Sequence, residues 1–151
     1  MKKEDVSFIL SMGDKLLLDL LPKGYKKNFK GVEWALPEWA HVLRCLNEKV
    51  NRTYARSERL GLDNNLSLEF LAELWLRQQG RCAISRMIMS FESGTSRDKN
   101  PWGCSIDRID SNKGYYKDNI RLVTHCVNNA RNVWPDSVLE TMVRNTAKYL
   151  Q

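Results

Sequence analysis

No stretch of this chain is apolar for long enough to cross a bilayer. The most hydrophobic segment, Val6 to Leu21, is broken by Gly13, Asp14, Lys15 and Asp19, which also makes it unlike a signal-peptide core. A cytoplasmic protein with no membrane partner is the expectation. The cysteines offer no C-x-x-C pair: Cys45, Cys82, Cys104 and Cys126 stand too far apart, and in a reducing compartment they are expected as free thiols. A disordered composition is absent as well, since 42% hydrophobic and 28% charged residues are ordinary for a globular chain. At 151 residues the chain fits one domain, or a small domain with an appended helical region, and it can bury roughly two thirds of its surface without a staple.

What is present is positive charge, unevenly spread. The net charge is +6, and Lys23 to Leu60 holds nine basic against four acidic residues, whereas Gly61 to Gln151 is nearly balanced. In the middle segment the charges are interleaved with Tyr25, Trp34, Trp39 and Tyr54, a pattern suited to nucleic-acid phosphates as well as to a solvated face. This asymmetry suggests a division into 1–60, a helical and basic DNA-contacting region, and 61–151.

Apolar spacing predicts helices within Glu4 to Leu21 and from Pro37 to about Tyr54, the second burying Val42, Leu43, Leu46 and Val50 and exposing Arg44, Lys49, Arg52 and Arg56. Pro22 to Gly31 reads as a basic loop. Ser67 is a candidate N-cap for a helix that Gly80 ends, with Phe70, Leu71, Leu74 and Trp75 on its buried side. Arg81 to Phe91 predicts a hairpin with Ile84, Met87, Ile88 and Met89 as strand and core. Glu92 to Pro101 reads as a polar insertion able to touch DNA through Arg97 and Lys99. After Pro135, a last helix over Asp136 to Leu150 is expected to bury Val138, Leu139, Met142 and Val143 against the rest of the fold or against a second copy in a homodimer.

The richest stretch is Cys104 to Arg131, CSIDRIDSNKGYYKDNIRLVTHCVNNAR. Ile106 and Asp107 close a short strand, SNKGYYKDN is turn chemistry with Gly114 free to take positive φ, Asn119 to Val123 is a second strand, and a helix follows from Thr124. This order brings Asn128 back toward Asp107. A carboxylate and an amide oxygen are hard donors, too few to enclose a cation, which leaves room for water and a phosphate oxygen on Mg²⁺ or a similar ion. A calcium loop does not fit DRIDSNKGYYKDN, because counting from Asp110 puts glycine at the fifth position and Arg121 where the bidentate glutamate belongs.

These residues resemble the HNH, or ββα-metal, endonucleases, and most closely a phage- and restriction-type branch with a D-R-I-D…G-Y…N…N signature, carried here by Asp107, Arg108, Ile109, Asp110, Gly114 and Tyr115. The similarity extends upstream to LSLEFLAELWLRQQGRCAIS and covers roughly 66–134. It implies an α+β fold, a ββα-metal finger embedded in helices, with Asp107 and Asn128 as metal ligands, Asn119 tying the loop together and Arg131 as the basic residue after the last ligand. Mg²⁺ is the implied cofactor, with Mn²⁺ as its substitute. Zinc-bearing relatives carry two C-x-x-C pairs, and here those places hold Ser85, Thr124 and Val127 beside Cys82, so a structural zinc is not expected.

The function expected from the resemblance is metal-dependent hydrolysis of DNA phosphodiesters. Arg108 stands where most of the family has its histidine base, and an arginine stays protonated, so its expected role is to hold a phosphate. His125, three residues before Asn128, is a candidate base, with His41, Tyr115, Tyr116 or metal-ionised water as alternatives. Asn119 completes the catalytic set. Lys26, Lys27, Lys30, Arg52, Arg56 and Arg131 are the expected DNA contacts. The alternative is a DNA-binding protein with a catalytically weakened finger; a protein-binding accessory factor is the third reading.

Overall fold

The computed structural model describes residues 29–92 and 99–150, with side chains inside the first helix given from residue 41 onward. The helices expected within Glu4 to Leu21, most of the basic loop, and Lys26, Lys27 and Arg97 lie outside these residues. Among the described residues the fold is α+β, four helices around a two-stranded antiparallel sheet: α1 (Phe29–Leu60), α2 (Leu68–Arg77), β1 (Cys104–Arg108), β2 (Ile120–Thr124), α3 (His125–Arg131) and α4 (Asp136–Tyr149). None of these helices is long and apolar enough to cross a membrane.

Helix α1 starts well before Pro37, which sits inside it rather than opening it, and Lys30 falls in its first turn. A proline there removes one N–H, that facing the carbonyl of Glu33, while Trp34 to Leu36 and Glu38 onward supply the neighbouring turns. Its buried stripe, Leu43, Leu46 and Val50, joins Leu66, Phe70, Leu71, Leu122 and Val123 in one core. The second half of α1 is a wall of the same core as the residues that follow, and Gly61 to Ser67 connects it to α2.

Helix α2 follows its local signals. Ser67 caps it by accepting from Phe70 N at 3.3 Å, Glu69 lies in the positive first turn, and Gln79 and Gly80 take positive φ beyond its end. The side chain of Gln78, its C-cap, donates to Leu122 O at 2.8 Å and accepts from Leu122 N at 3.1 Å, as a neighbouring strand would.

The hairpin expected over Arg81 to Phe91 forms without strands. Only the isolated bridges Arg81 with Ile88 and Ser90 with Gly103 are present, because Arg86 turns at φ 61° and breaks the extended run. Met89 is buried, but Met87 and Ile88 are exposed, so they do not belong to the core as expected. Helix α4 also departs from expectation: Leu139 is buried, whereas Val138, Met142 and Val143 are 45%, 48% and 54% exposed.

Candidate functional site

Strands β1 and β2 pair with Asp107 opposite Arg121 and Ile106 opposite Leu122, and α3 follows β2 without a break. The loop between the strands is closed by Asn119. Its Oδ1 accepts from Asp110 N at 2.9 Å, and its Nδ2 donates to Asp110 O at 3.1 Å and to Gly114 O at 2.9 Å. Asn119 is buried and touches no open cleft residue through these bonds, so its geometry is that of a brace, not of a group acting on substrate.

Gly114 serves the loop for a reason other than the expected positive φ. A Cβ there would lie 2.1 Å from the carbonyl oxygen of Asp63, in the connector between α1 and α2. Tyr115 N donates to Asp63 O at 2.9 Å, Asn65 N donates to Tyr115 O at 3.1 Å, and Tyr116 donates its hydroxyl to Asp63 Oδ2. That last bond holds the Tyr116 phenol above its ordinary pKa, which opposes a role as a base near neutrality. Tyr115 is buried beneath the Arg108 guanidinium, which also donates to Lys113 O at 2.9 Å.

Behind the sheet lies a ring of four ion-paired side chains. Asp107 accepts from Arg121 Nε at 2.8 Å on Oδ2 and from Arg131 Nη1 at 2.9 Å on Oδ1. Asp136, at the start of α4, closes the ring by accepting from Arg121 at 2.6 and 2.7 Å and from Arg131 Nε at 2.8 Å. Arg131 also donates to the carbonyls of Arg108 and Ile109. The bonds from Arg121, then those from Arg131, hold the Asp136 carboxyl down at about 2. Arg131, expected to contact DNA, is 2% exposed, and its guanidinium is enclosed by these partners, so it cannot reach a phosphate.

The ring bears on the implied metal. Asp107 and Asn128 do line one cleft of about 410 Å³, together with Arg56, Arg108 and Ser111. Yet both oxygens of Asp107 already face guanidinium groups, and among the described residues it is the only carboxylate lining that cleft. Asn128 turns its Nδ2 to β1, donating to Ser105 Oγ at 2.7 Å and to Ile106 O at 3.3 Å. In this arrangement Asp107 is an ion-pair partner on both oxygens, so it could turn to a divalent cation only by exchanging an arginine, and Asn128 ties α3 to β1 through its Nδ2.

At the corner where α2's turn meets the start of α3, the Cys82 thiol accepts from Ser85 N at 3.4 Å, and Thr124 Oγ1 lies 3.3 Å from Cys126 Sγ. Burial raises the Cys82 thiol, but the bonds from Ser85, Thr124 and Ile84 outweigh it and leave its pKa lowered.

The open side of the site is a groove between α1 and β1. Three adjoining cavities of about 230, 190 and 410 Å³ share their linings: Lys49, Arg52 and His125 join the first two, and Arg56, Ile106 and Tyr115 join the last two. Lys99 stands at one end and Arg108 at the other. No family model, curated protein or solved structure matches this chain. Its site is thus read from its own atoms.

His125 lies in the floor of this groove. Burial, then the charges of Lys49, Lys99 and Arg52, hold its pKa below the ordinary 6.5, so the ring is neutral at pH 7 and able to accept a proton. Its position depends on Gly103, where a Cβ would lie 2.9 Å from the imidazole Cδ2. His41, the other histidine, bonds Arg44 and packs edge-on to Phe91 at the far end of α1's described face. The structure brings together Arg52, Arg56, Arg108, His125 and Asn128 along one groove, and separates from them Asn119 and Arg131. Sequence reasoning missed Arg121 as a partner of Asp107, and Asp136 as the second carboxylate on the arginines that Asp107 bonds. The one signal was the hairpin register, which sets Arg121 directly across from Asp107.

Proposed function

We propose that the chain is a DNA-binding protein that seats a phosphate backbone in the groove between α1 and β1. The observation that carries this reading is the row Lys49, Arg52 and Arg56, set over about 10 Å of helix axis and facing His125 and Ser105 across the groove. Among the described residues no carboxylate pairs with any of the three; Lys49 Nζ lies 5.9 Å from the centre of the Phe91 ring, and Arg52 and Arg56 are exposed. Cations at one- and two-turn intervals along a concave wall suit successive phosphates, and Arg108 extends the row beyond the helix. The test is a titration of labelled duplex DNA across a salt series. Affinity should fall steeply as salt rises from about 50 to 200 mM. Absence of binding at low salt, or tighter binding to RNA, would remove the assignment.

A second reading, the metal-dependent endonuclease of the ββα-metal type, is favoured by the meeting of Asp107, Arg108 and Asn128 in one cleft at the end of the groove and by the neutral His125 beside it. It requires Asp107 to exchange at least one arginine for the ion. Supercoiled plasmid incubated with the protein and Mg²⁺, Mn²⁺ or EDTA separates the two readings: nicking or linearisation only in the metal lanes supports the endonuclease, and intact plasmid in all three supports a binding protein with a closed finger.

A further inference from the structure

The groove between α1 and β1 is stopped at its Lys99 end. Ser90 is fixed to the start of β1, accepting from Cys104 N and donating its own N–H to Trp102 O, both at 2.9 Å. One residue on, Phe91 lies against α1, its ring centre 6.4 Å from that of His41 and 5.9 Å from Lys49 Nζ. Ser90 to Glu92 therefore cross from one wall of the groove to the other, and all three line the cavity of about 230 Å³ that ends there.

Three cations meet in that cavity: Lys49 and Arg52 from α1, and Lys99 from the segment before β1. Their convergence has an independent sign. After burial, the charges of these same three side chains hold the His125 pKa down, so all three act on the imidazole in the cavity floor. Two carboxylates also line the cavity. Glu48 is bonded to Arg44 at 2.8 Å, which leaves Glu92 alone to offset three cations. Burial pushes the Cys104 thiol up to about 12, so it adds no negative charge near neutrality.

A stopped cavity with surplus positive charge suits one kind of phosphate better than another. An internal phosphodiester carries a single negative charge and needs room for the strand on both sides. A terminal phosphomonoester carries between about 1.5 and 2 negative charges at pH 7 and has strand on one side only. We infer that this cavity seats the terminal phosphomonoester of a DNA strand whose following phosphates lie along Arg52 and Arg56. The seat rests on the DNA-binding reading above and adds to it what the groove selects: a strand end, not a strand passing through. The neutral His125 ring has one N–H to give to the same oxygens.

Fluorescence anisotropy at fixed salt, with internally labelled duplexes of one sequence, tests the seat. The ligands are a duplex with 5′-phosphates, one with 3′-phosphates, one with hydroxyls at every end, and a dumbbell whose strands are closed by loops. At least one phosphate-ended duplex should bind about tenfold more tightly than the hydroxyl-ended one, the gain expected of one or two charge-assisted contacts, and the end that gives the gain names the strand polarity. The dumbbell should gain nothing. Lys99 lines only the stopped cavity and Arg56 only the other two, so their variants divide the effect. Lys99→Ala should bring the ratio of phosphate-ended to hydroxyl-ended affinity close to one, whereas Arg56→Ala should weaken both and keep the ratio; circular dichroism of each shows that the helices are kept. If all four ligands bind alike, DNA binding stands and the seat is overturned. A ratio that survives Lys99→Ala overturns it too, and no binding to any ligand removes both readings.

Discussion

The ion-paired ring and the groove are built from the same side-chain types on neighbouring elements, yet they do opposite things with charge. In the ring, Arg131 at 2% and Asp107 at 3% exposure are held within 2.9 Å of each other, and two arginines are matched by two aspartates. In the groove, Arg52 and Arg56 are exposed and no carboxylate answers them. The contrast teaches that an arginine's identity in a motif does not set its role; the distance to the nearest counter-charge does. A buried pair resists the loss of either member because the survivor is stranded without water. An exposed cation loses little when removed, but a polyanion would lose a contact.

The comparison breaks most easily at Arg131. Arg131→Ala should lower unfolding free energy by about 3–5 kcal/mol by uncovering a buried carboxylate, whereas Arg56→Ala should change it by no more than about 0.5 kcal/mol. Equal costs in denaturant titrations would show the ring and the groove to be energetically alike. The same logic revises the consequence of Asp107→Ala, which should weaken the fold and not merely a metal site.

Next in size is the effect of replacing Lys49, Arg52 and Arg56 together by alanine. Each phosphate contact contributes about 0.9 to the slope of log affinity against log salt. The triple variant should therefore flatten the slope by up to about 3 with an unchanged melting temperature. A slope that stays put would move the DNA footprint away from α1.

Asn119→Ala sharpens the contrast from the loop side. It leaves two carbonyls and one N–H without their partner and should cost about 1–3 kcal/mol; thermal melts that superimpose on wild type would argue that water replaces the amide.

The smallest effect is on acid stability. The folded pKa of Asp136 is lowered from 3.8 to about 2, so its contribution is fully present above the unfolded value and is lost as pH falls through the folded one. Asp136→Asn should be the less stable protein at neutral pH, and the two should converge as pH approaches about 2. Because that side chain is 42% exposed, solvent screening keeps the difference small. Parallel acid-unfolding curves with no convergence would mean that Asp136 is not the titrating group.

The strands, α2 and the start of α4 were legible in the sequence because their signals are local: Ser67 before an apolar run, turn residues between two short apolar strands, a proline before Asp136. The turn chemistry from Ser111 to Asn119 was legible for the same reason. The ring was not. Asp107 and Arg131 are joined across 24 positions and Arg121 and Asp136 across 15, and no periodicity announces which of several arginines will be enclosed. The two missing hairpin strands were a failure of composition: Ile84, Met87 and Ile88 are apolar enough for strand, but Arg86 turns left-handed among them. Gly114 was read as a turn glycine, when the connector packed against it is far away in sequence and invisible to any local rule.

That packing has a consequence for how a ligand is met. Asn64 donates to Thr53 and Ser57 on α1, and its neighbours Asp63 and Asn65 bond the backbone of Tyr115 at the groove floor, so wall and floor are stitched to the same short connector. The backbone contact under Gly114 works as a caliper. It sets the gap between α1 and β1, and since the aperture is already framed, a strand seated there as proposed would find little left to order. Binding would then lose less affinity to the entropy of shaping the site.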